Sequence, residues 1–224
     1  MKLVLTSGGI SNKSIESELK KIIGKNIKNL KMLFCTTASN YDGGEMNDWL
    51  IEDIEYFKKL GFSIDICDIN GINIEKLLPR FEWADVYFFE GGNTQWLKEC
   101  IRNSGLENYL QKLLETRIWI GASAGSCVLC PTICNAVQDL YDENIEGLST
   151  DGLNFVDFQF MPHLNNDMCP NIKEENIVDA SKNLKEIDGK KIYVLDDNSA
   201  LFVNGKSVKI VSEGKYFEII NKLA

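Results

Sequence analysis

Up to Cys130 the apolar residues follow two alternating rhythms: short unbroken runs, and stretches in which they recur every three or four positions. The runs Leu3-Val4-Leu5, Met32-Leu33-Phe34-Cys35, Val86-Tyr87-Phe88-Phe89 and Ile118-Trp119-Ile120 suit strands buried on both faces. The spacing of Ile15, Leu19, Ile22 and Ile23 gathers apolar side chains on one side of a helix, as does that of Trp49, Leu50, Ile54, Phe57 and Leu60. Strands are thus expected over 2–6, 31–35, 63–67, 84–89 and 118–120, and helices over 15–23, 46–60, 74–78, 95–101 and 124–129. Such alternation builds a mostly parallel central sheet covered by helices on both faces, a three-layer α/β sandwich formed by one domain over 1–224.

After Asn135 the rhythm weakens. Residues 136–152 are polar and acidic and read as a long surface loop; a strand is expected over 155–161 and a helix over 173–183. Four short stretches, 192–195, 200–203, 208–211 and 216–220, read as antiparallel strands at the C-terminal end, with Asn204-Gly205 and Glu213-Gly214 at turns.

In a parallel sheet of this kind ligands sit beyond the carboxyl ends of the strands. Four polar or glycine-rich turns fall there: Ser7-Gly8-Gly9, the segment 36–40, Glu90-Gly91-Gly92-Asn93-Thr94, and Gly121-Ala122-Ser123-Ala124-Gly125. The last is a G-x-S-x-G between a strand and a helix. A strand that turns this sharply needs small residues beside the serine, and it lifts the hydroxyl above the sheet edge. Ser123 is therefore a candidate nucleophile, and the Ala124 N–H a candidate donor to an oxyanion. The competing reading is a tightly packed turn, or a phosphate site at the helix start.

A serine hydroxyl needs a base, and imidazole is best matched to that task near neutral pH. The chain has one histidine, His163, placed after Pro162 at a predicted strand end. An orienting carboxylate is expected from Asp196-Asp197-Asn198, with Asp139 and Asp142 as upstream rivals. Gly91 and Gly92 allow close backbone approach to a substrate, and the Gly92 N–H could join that of Ala124; Asn93 and Thr94 suit either substrate contacts or a helix cap. Cys127, Cys130 and Cys134 lack a nearby fourth ligand and read as core thiols, so neither a metal nor a cofactor is expected.

Composition narrows the partners. A net charge of −9 argues against nucleic acid and against an anionic membrane surface. The seven cysteines, odd in number and scattered, fit free thiols in a cytoplasmic protein.

Taken in order, the segments Thr37-Ala38-Ser39, Phe89-Glu90-Gly91-Gly92-Asn93-Thr94, Gly121-Ala122-Ser123-Ala124-Gly125, Cys130-Pro131-Thr132-Ile133, Gly152-Leu153-Asn154, Phe160-Met161-Pro162-His163 and Asp196-Asp197-Asn198-Ser199-Ala200-Leu201 resemble peptidase family S51, that of dipeptidase E and cyanophycinase. The resemblance implies a flavodoxin-like fold similar to class I glutamine amidotransferases. It also implies a serine peptidase of short peptides, dipeptides with an N-terminal aspartate among the candidate substrates, with Ser123 as nucleophile, His163 as base and Gly92 and Ala124 as oxyanion donors; either a monomer or a homodimer is expected. Asp197 stands where the family often has glutamate. The arginines that the dipeptidase E branch carries for an N-terminal aspartate are absent, leaving Lys173 as the cation of that region. The alternatives are a non-catalytic module binding a small ligand, or an amidase or esterase acting on a non-peptide substrate.

Overall fold

The computed structural model describes residues 1–24, 26–41, 48–133, 140–141, 144–182 and 189–220. Its strands are β1 (Lys2–Thr6), β2 (Lys31–Cys35), β3 (Ser63–Cys67), β4 (Val86–Phe89), β5 (Ile118–Ala122), β6 (Phe158–Met161), β7 (Lys191–Leu195), β8 (Ser199–Asn204), β9 (Ser207–Ser212) and β10 (Tyr216–Ile220). The helices are α1 (Lys13–Ile23), α2 (Asp48–Leu60), α3 (Ile74–Trp83), α4 (Thr94–Asn103), α5 (Glu107–Leu113), α6 (Ala124–Cys127) and α7 (Glu174–Ser181). The main sheet has seven strands in the order β3-β2-β4-β5-β1-β8-β9, and a second sheet has three, β10-β7-β6.

Strands β3, β2, β4, β5 and β1 run parallel, whereas β8 and β9 close the sheet antiparallel. Alternate side chains feed two cores. Leu3, Leu5, Leu33, Tyr87, Phe89 and Trp119 pack on one face, and Val4, Met32, Phe34, Phe88 and Ile120 on the other. The sheet is thus covered on both sides, as the unbroken apolar runs require. A smaller core of Met161, Leu164, Ile172, Ile177, Ile192 and Val194 lies against the second sheet.

Local capping explains several boundaries. The Asn12 side chain accepts the Ile15 N–H at 3.0 Å to start α1, which ends at Gly24 in the left-handed region (φ 64°). Asn93 accepts the Trp96 N–H at 2.9 Å at the start of α4.

Several expectations need correction. Helix α3 continues through Pro79 to Trp83 instead of stopping at 78, because Leu77 and Phe81 are buried on its inner face and Arg80 pairs with Asp65 at 2.7 Å. Pro79 lies inside the helix, where the one N–H it removes is outweighed by that packing. Helix α6 is shorter than expected. Pro131 disfavours helix in the residue before it, and the carbonyls of Val128, Leu129 and Cys130 instead accept N–H groups of Leu153, Phe155 and Asn154. Helix α5 was not foreseen. The C-terminal strands are split between sheets: β8 and β9 extend the main sheet, while β7 pairs parallel with β6 and antiparallel with β10.

The expected loop over 136–152 falls partly outside the described residues, as does Cys134. Its described end is tied to α4. The fully buried Lys98 bonds the Ser149 hydroxyl at 2.8 Å, Arg102 pairs with Asp151 at 2.8 Å, and the Ile145 N–H donates to Gln95 at 2.7 Å.

Candidate active site

Ser123 follows β5 directly and has φ 45° and ψ −107°, a conformation that costs a non-glycine residue about 1–3 kcal/mol. The neighbours that hold it are all local to the sheet edge. Its N–H points to the carbonyls of Thr6 and Ser7, at 3.0 and 3.1 Å, and the Ser126 hydroxyl lies 2.9 and 2.8 Å from those of Thr6 and Gly121. A β-carbon on Gly121 would lie 2.3 Å from the Gly125 carbonyl oxygen, and one on Gly125 only 2.0 Å from that of Phe89. Both glycines are therefore steric necessities of the elbow. Trp119 braces it from below, stacked on Phe89 at 3.7 Å between ring centroids and donating its indole N–H to the Gly125 carbonyl at 2.9 Å.

His163 arrives from the second sheet. The register of β6 on β7 pairs Met161 with Val194, so the chain leaving β6 through Pro162 emerges beside the turn that follows Leu195. His163 has φ 66°, and the Leu164 N–H donates to the Leu195 carbonyl at 3.1 Å. The His163 N–H donates to the Ser7 hydroxyl at 2.8 Å, and the Tyr141 ring stands edge-on to the imidazole, 6.5 Å between centroids. In this pose Nε2 lies 2.8 Å from Ser123 Oγ and Nδ1 2.7 Å from Asp197 Oδ1. An ionised carboxylate only accepts, so the proton belongs on Nδ1, which leaves Nε2 free to accept from the serine.

Strand β8 runs antiparallel to β1, with Ala200 opposite Thr6, so the turn before it lies at the same sheet edge as Ser7 and Ser123. Of the two adjacent acids, Asp197 faces the imidazole. It also accepts the Ser7 hydroxyl at 2.6 Å and a hydrogen bond from the Asn166 amide. Burial alone would raise its carboxyl, but the His163 hydrogen bond and charge, then Ser7 and Asn166, bring it down to about 2. Asp196 turns the other way and ties the backbone, accepting the Asn198 N–H at 3.1 Å, the Ser199 hydroxyl at 2.7 Å and the Lys215 N–H. Asp139 and Asp142 lie outside the described residues.

A cleft of about 410 Å³ opens over Ser123 and His163, with Gly91 and Gly92 in its wall. Gly92 has φ 124°, and a β-carbon there would lie 2.3 Å from the Ala38 carbonyl oxygen, so only glycine fits this turn. Ala124 opens α6, whose first N–H groups have no acceptor within the helix. Asn93 caps α4 and Thr94 begins it; neither lines the cleft. Lys173 stands apart, lining a separate depression of about 530 Å³ beside Glu174, Glu175 and the Gly214–Phe217 segment. Cys127 and Cys130 pack behind the elbow against β6. The Cys130 sulfur accepts the Phe160 N–H at 3.2 Å, and burial pushes that thiol up to about 12.

The fold also brings in residues that periodicity assigned elsewhere or left unmarked. Trp49, Glu52 and Asp53, at i, i+3 and i+4 on one face of α2, all line the cleft. Trp49 had been expected on the core side of that helix and is instead 37% exposed. Glu90 closes the buried run of β4 and is 1% exposed; its Oε1 accepts the Gly91 N–H at 3.0 Å, and its Oε2 has no hydrogen-bond partner among the described residues. Burial, reinforced by Asp53, holds the Glu90 carboxyl well above its ordinary range, and burial with the Glu52 charge pushes Asp53 up to about 7. A charged residue ending four buried apolar ones was a visible signal for Glu90; Asn166 and Ser7 had none beyond the turns they occupy.

Among the described residues no helix is long and apolar enough to cross a membrane. The chain is 27% identical to Peptidase E of Nostoc sp. over 198 residues, which is 87% of this chain and 76% of that protein. It is 26% identical to an uncharacterized peptidase of Listeria monocytogenes over 186 residues, 82% of this chain and 86% of the relative. The crystal structure of a candidate peptidase E protein from Listeria monocytogenes superposes with a TM-score of 0.78 at 22% identity, covering 95% of this chain and 98% of that one. A peptidase from an acI-B1 actinobacterium superposes with a TM-score of 0.73 at 17% identity, covering 99% and 90%. These two likenesses establish a shared fold. The sequence model of Peptidase family S51 matches residues 3–211, and with that match over nearly the whole chain, the protein belongs to peptidase family S51.

Proposed function

We propose that this protein is a serine peptidase that hydrolyses short peptides through Ser123, His163 and Asp197. The observation that carries the reading is the continuous hydrogen-bonded line from Ser123 Oγ through His163 to Asp197, 2.8 Å and 2.7 Å long, above a strained strand-to-helix turn. His163 Nε2 takes the hydroxyl proton as Oγ attacks the scissile carbonyl, and Asp197 holds the ring in the tautomer that makes this transfer available. Negative charge gathers on the carbonyl oxygen and is met by the N–H groups of Gly92 and Ala124. His163 then returns the proton to the leaving amine. An acyl group remains on Ser123, and water attacks it with the same imidazole as base.

Binding contacts from Gly91 position the peptide along the turn that follows β4. Lys173 lines a separate depression and not the cleft, so a first-position aspartate would have no lysine or arginine partner among the described residues that line the cleft.

Screening purified protein against dipeptides, isoaspartyl peptides and simple esters tests the reading. Turnover of a short peptide that falls by roughly 10⁴-fold or more in Ser123→Ala and in His163→Ala is the expected result. Full activity retained by Ser123→Ala, with active sites titrated, would overturn it. Ester turnover without peptide turnover would favour the non-peptide hydrolase, and no turnover at all the binding module.

A further inference from the structure

Two carboxyls in the cleft have no part in the proton relay. Asp53 projects from α2 and Glu90 from the end of β4, and both line the same cavity as Ser123. Glu90 is almost wholly buried, yet one of its oxygens has no hydrogen-bond donor. A buried carboxylate oxygen left bare costs free energy, and such a group is retained where a ligand supplies the missing donor. The described cleft wall holds Glu52, Asp53, Glu90 and Asp197 and neither lysine nor arginine, so among the described residues lining the cleft no lysine or arginine offsets the pair.

The turn after Glu90 is also the one that touches the nucleophile. A β-carbon placed on Gly91 would lie 3.4 Å from Ser123 Cβ, and the next residue, Gly92, is the proposed oxyanion donor. A peptide whose carbonyl is held there carries its own α-nitrogen only about 2.5 Å from the carbonyl carbon, as fixed by the bond lengths along N–Cα–C. An amino-terminal ammonium on the acyl residue therefore cannot lie far from the Glu90 turn.

We propose that Asp53 and Glu90 form the subsite for a primary ammonium group on the acyl half of the substrate, so that the enzyme works from a positively charged end of a short peptide. This rests on the peptidase reading of Ser123 and refines it. Substrates with a free amino terminus and a neutral or basic first residue are favoured, and an aspartate in first position is disfavoured by the surrounding carboxylates. The α-amino group and a lysine ε-amino group offer the same chemistry.

Binding measured on Ser123→Ala, which cannot turn the peptide over, separates this subsite from hydrolysis. Calorimetry with Ala-Leu, Nα-acetyl-Ala-Leu, Nα-acetyl-Lys-Leu and Asp-Leu is expected to show acetylation of Ala-Leu weakening binding by roughly 30-fold, the loss of one charged hydrogen-bonded contact. In Ser123→Ala/Glu90→Gln, checked for an unchanged unfolding temperature, that discrimination should shrink to about threefold or less; Ser123→Ala/Asp53→Asn gives a second, independent reduction. Recovery of binding by Nα-acetyl-Lys-Leu would assign the ammonium to the side chain instead of the terminus. Equal binding of free and acetylated peptides, discrimination that survives in both double variants, tightest binding by Asp-Leu, or no binding of any peptide would overturn the subsite. If discrimination is present but the wild-type protein hydrolyses nothing, the subsite stands and the peptidase reading falls.

Discussion

The cleft contains carboxyls in two opposite electrostatic situations. Asp197 accepts from His163, Ser7 and Asn166 and is held down at about 2, whereas Asp53 is pushed up to about 7 and Glu90 higher than its ordinary range, with an oxygen unpartnered. Exposure does not separate Asp197 from Asp53, both of which are half-buried, and only Glu90 is wholly buried. What differs most is the supply of donors: the turns after β1 and β6 deliver three hydrogen-bond donors to Asp197, while the meeting of α2 with the end of β4 brings acid against acid. The first arrangement is fixed and complete without a ligand, whereas the second leaves one Glu90 oxygen without a hydrogen-bond donor among the described residues.

The largest expected effect breaks the fixed side. Asp197→Asn should lower kcat by about 10⁴-fold, because the amide would present a donor to Nδ1 and favour the wrong imidazole tautomer. Asp196→Asn, one residue away, should change kcat by less than about threefold while lowering the unfolding temperature, since its contacts are to backbone and to Ser199. Steady-state rates and thermal melts on the pair would check both, and an Asp196 variant as inactive as the Asp197 one would show that the assignment is reversed. A smaller loss, about 10- to 100-fold in kcat, is expected for Ser7→Ala, which removes one donor from Asp197 and the acceptor of the His163 N–H.

Stability against pH sharpens the contrast, because the two groups are linked to folding with opposite sign. The Asp197 carboxyl is lower in the folded chain than its ordinary value of 3.8, so its contribution is present above that pH and disappears as pH falls towards about 2. Allowing for its partial exposure, wild type should exceed Asp197→Ala by about 1–2 kcal/mol at pH 7 through this charge, and by progressively less below pH 4. Asp53 behaves in reverse. Its folded value of about 7 exceeds 3.8, so the folded state holds a proton that the unfolded state has released, and stability is lost as pH rises through about 7. Asp53→Asn should therefore melt above wild type by an amount absent near pH 4, growing with pH and level beyond about pH 7. Raising this carboxyl from 3.8 to about 7 corresponds to roughly 4 kcal/mol, so that excess is up to about 10 °C, given about 2–4 °C per kcal/mol for a chain of this size. Melting curves at pH 4, 6 and 8 would read it; an excess independent of pH would mean that the Asp53 charge is not its source, and a deficit at pH 8 that Asp53 is already paired with a cation.

Legibility in the sequence followed the range of the interactions involved. The parallel strands were readable because burial on both faces demands unbroken apolar runs, and each lies within a few residues of its expected limits. Helix starts at Asn12 and Asn93 carried their own capping side chains. The elbow was legible for the same reason, since Gly121 and Gly125 answer steric contacts only a few residues away. Where long-range packing competed with local rules, the local reading failed: Pro79 did not stop α3, and Trp49 turned from the core to the cleft.

Within the site, the lone histidine and the elbow serine could be paired by elimination, since imidazole chemistry had one residue to draw on. The choice between Asp196 and Asp197 could not. Adjacent residues of the same type carry the same local signal, and only the docking of β8 beside β1, with Ala200 opposite Thr6, decides which carboxylate turns towards the ring. Lys173 and Asp53 changed places for a related reason: nearness to His163 along the chain did not bring the first to the cleft, and more than 60 residues of separation did not keep the second away. Sequence by itself determined the sandwich and the sharp turn, because each depends on conformational limits felt within a turn or a strand, and it left a single imidazole to set beside the serine of that turn. Tertiary structure alone decided the orienting acid and the acid-lined entry, because hydrogen bonds such as that from Ser7 to Asp197, 190 residues apart, exist only once strand order and register are set.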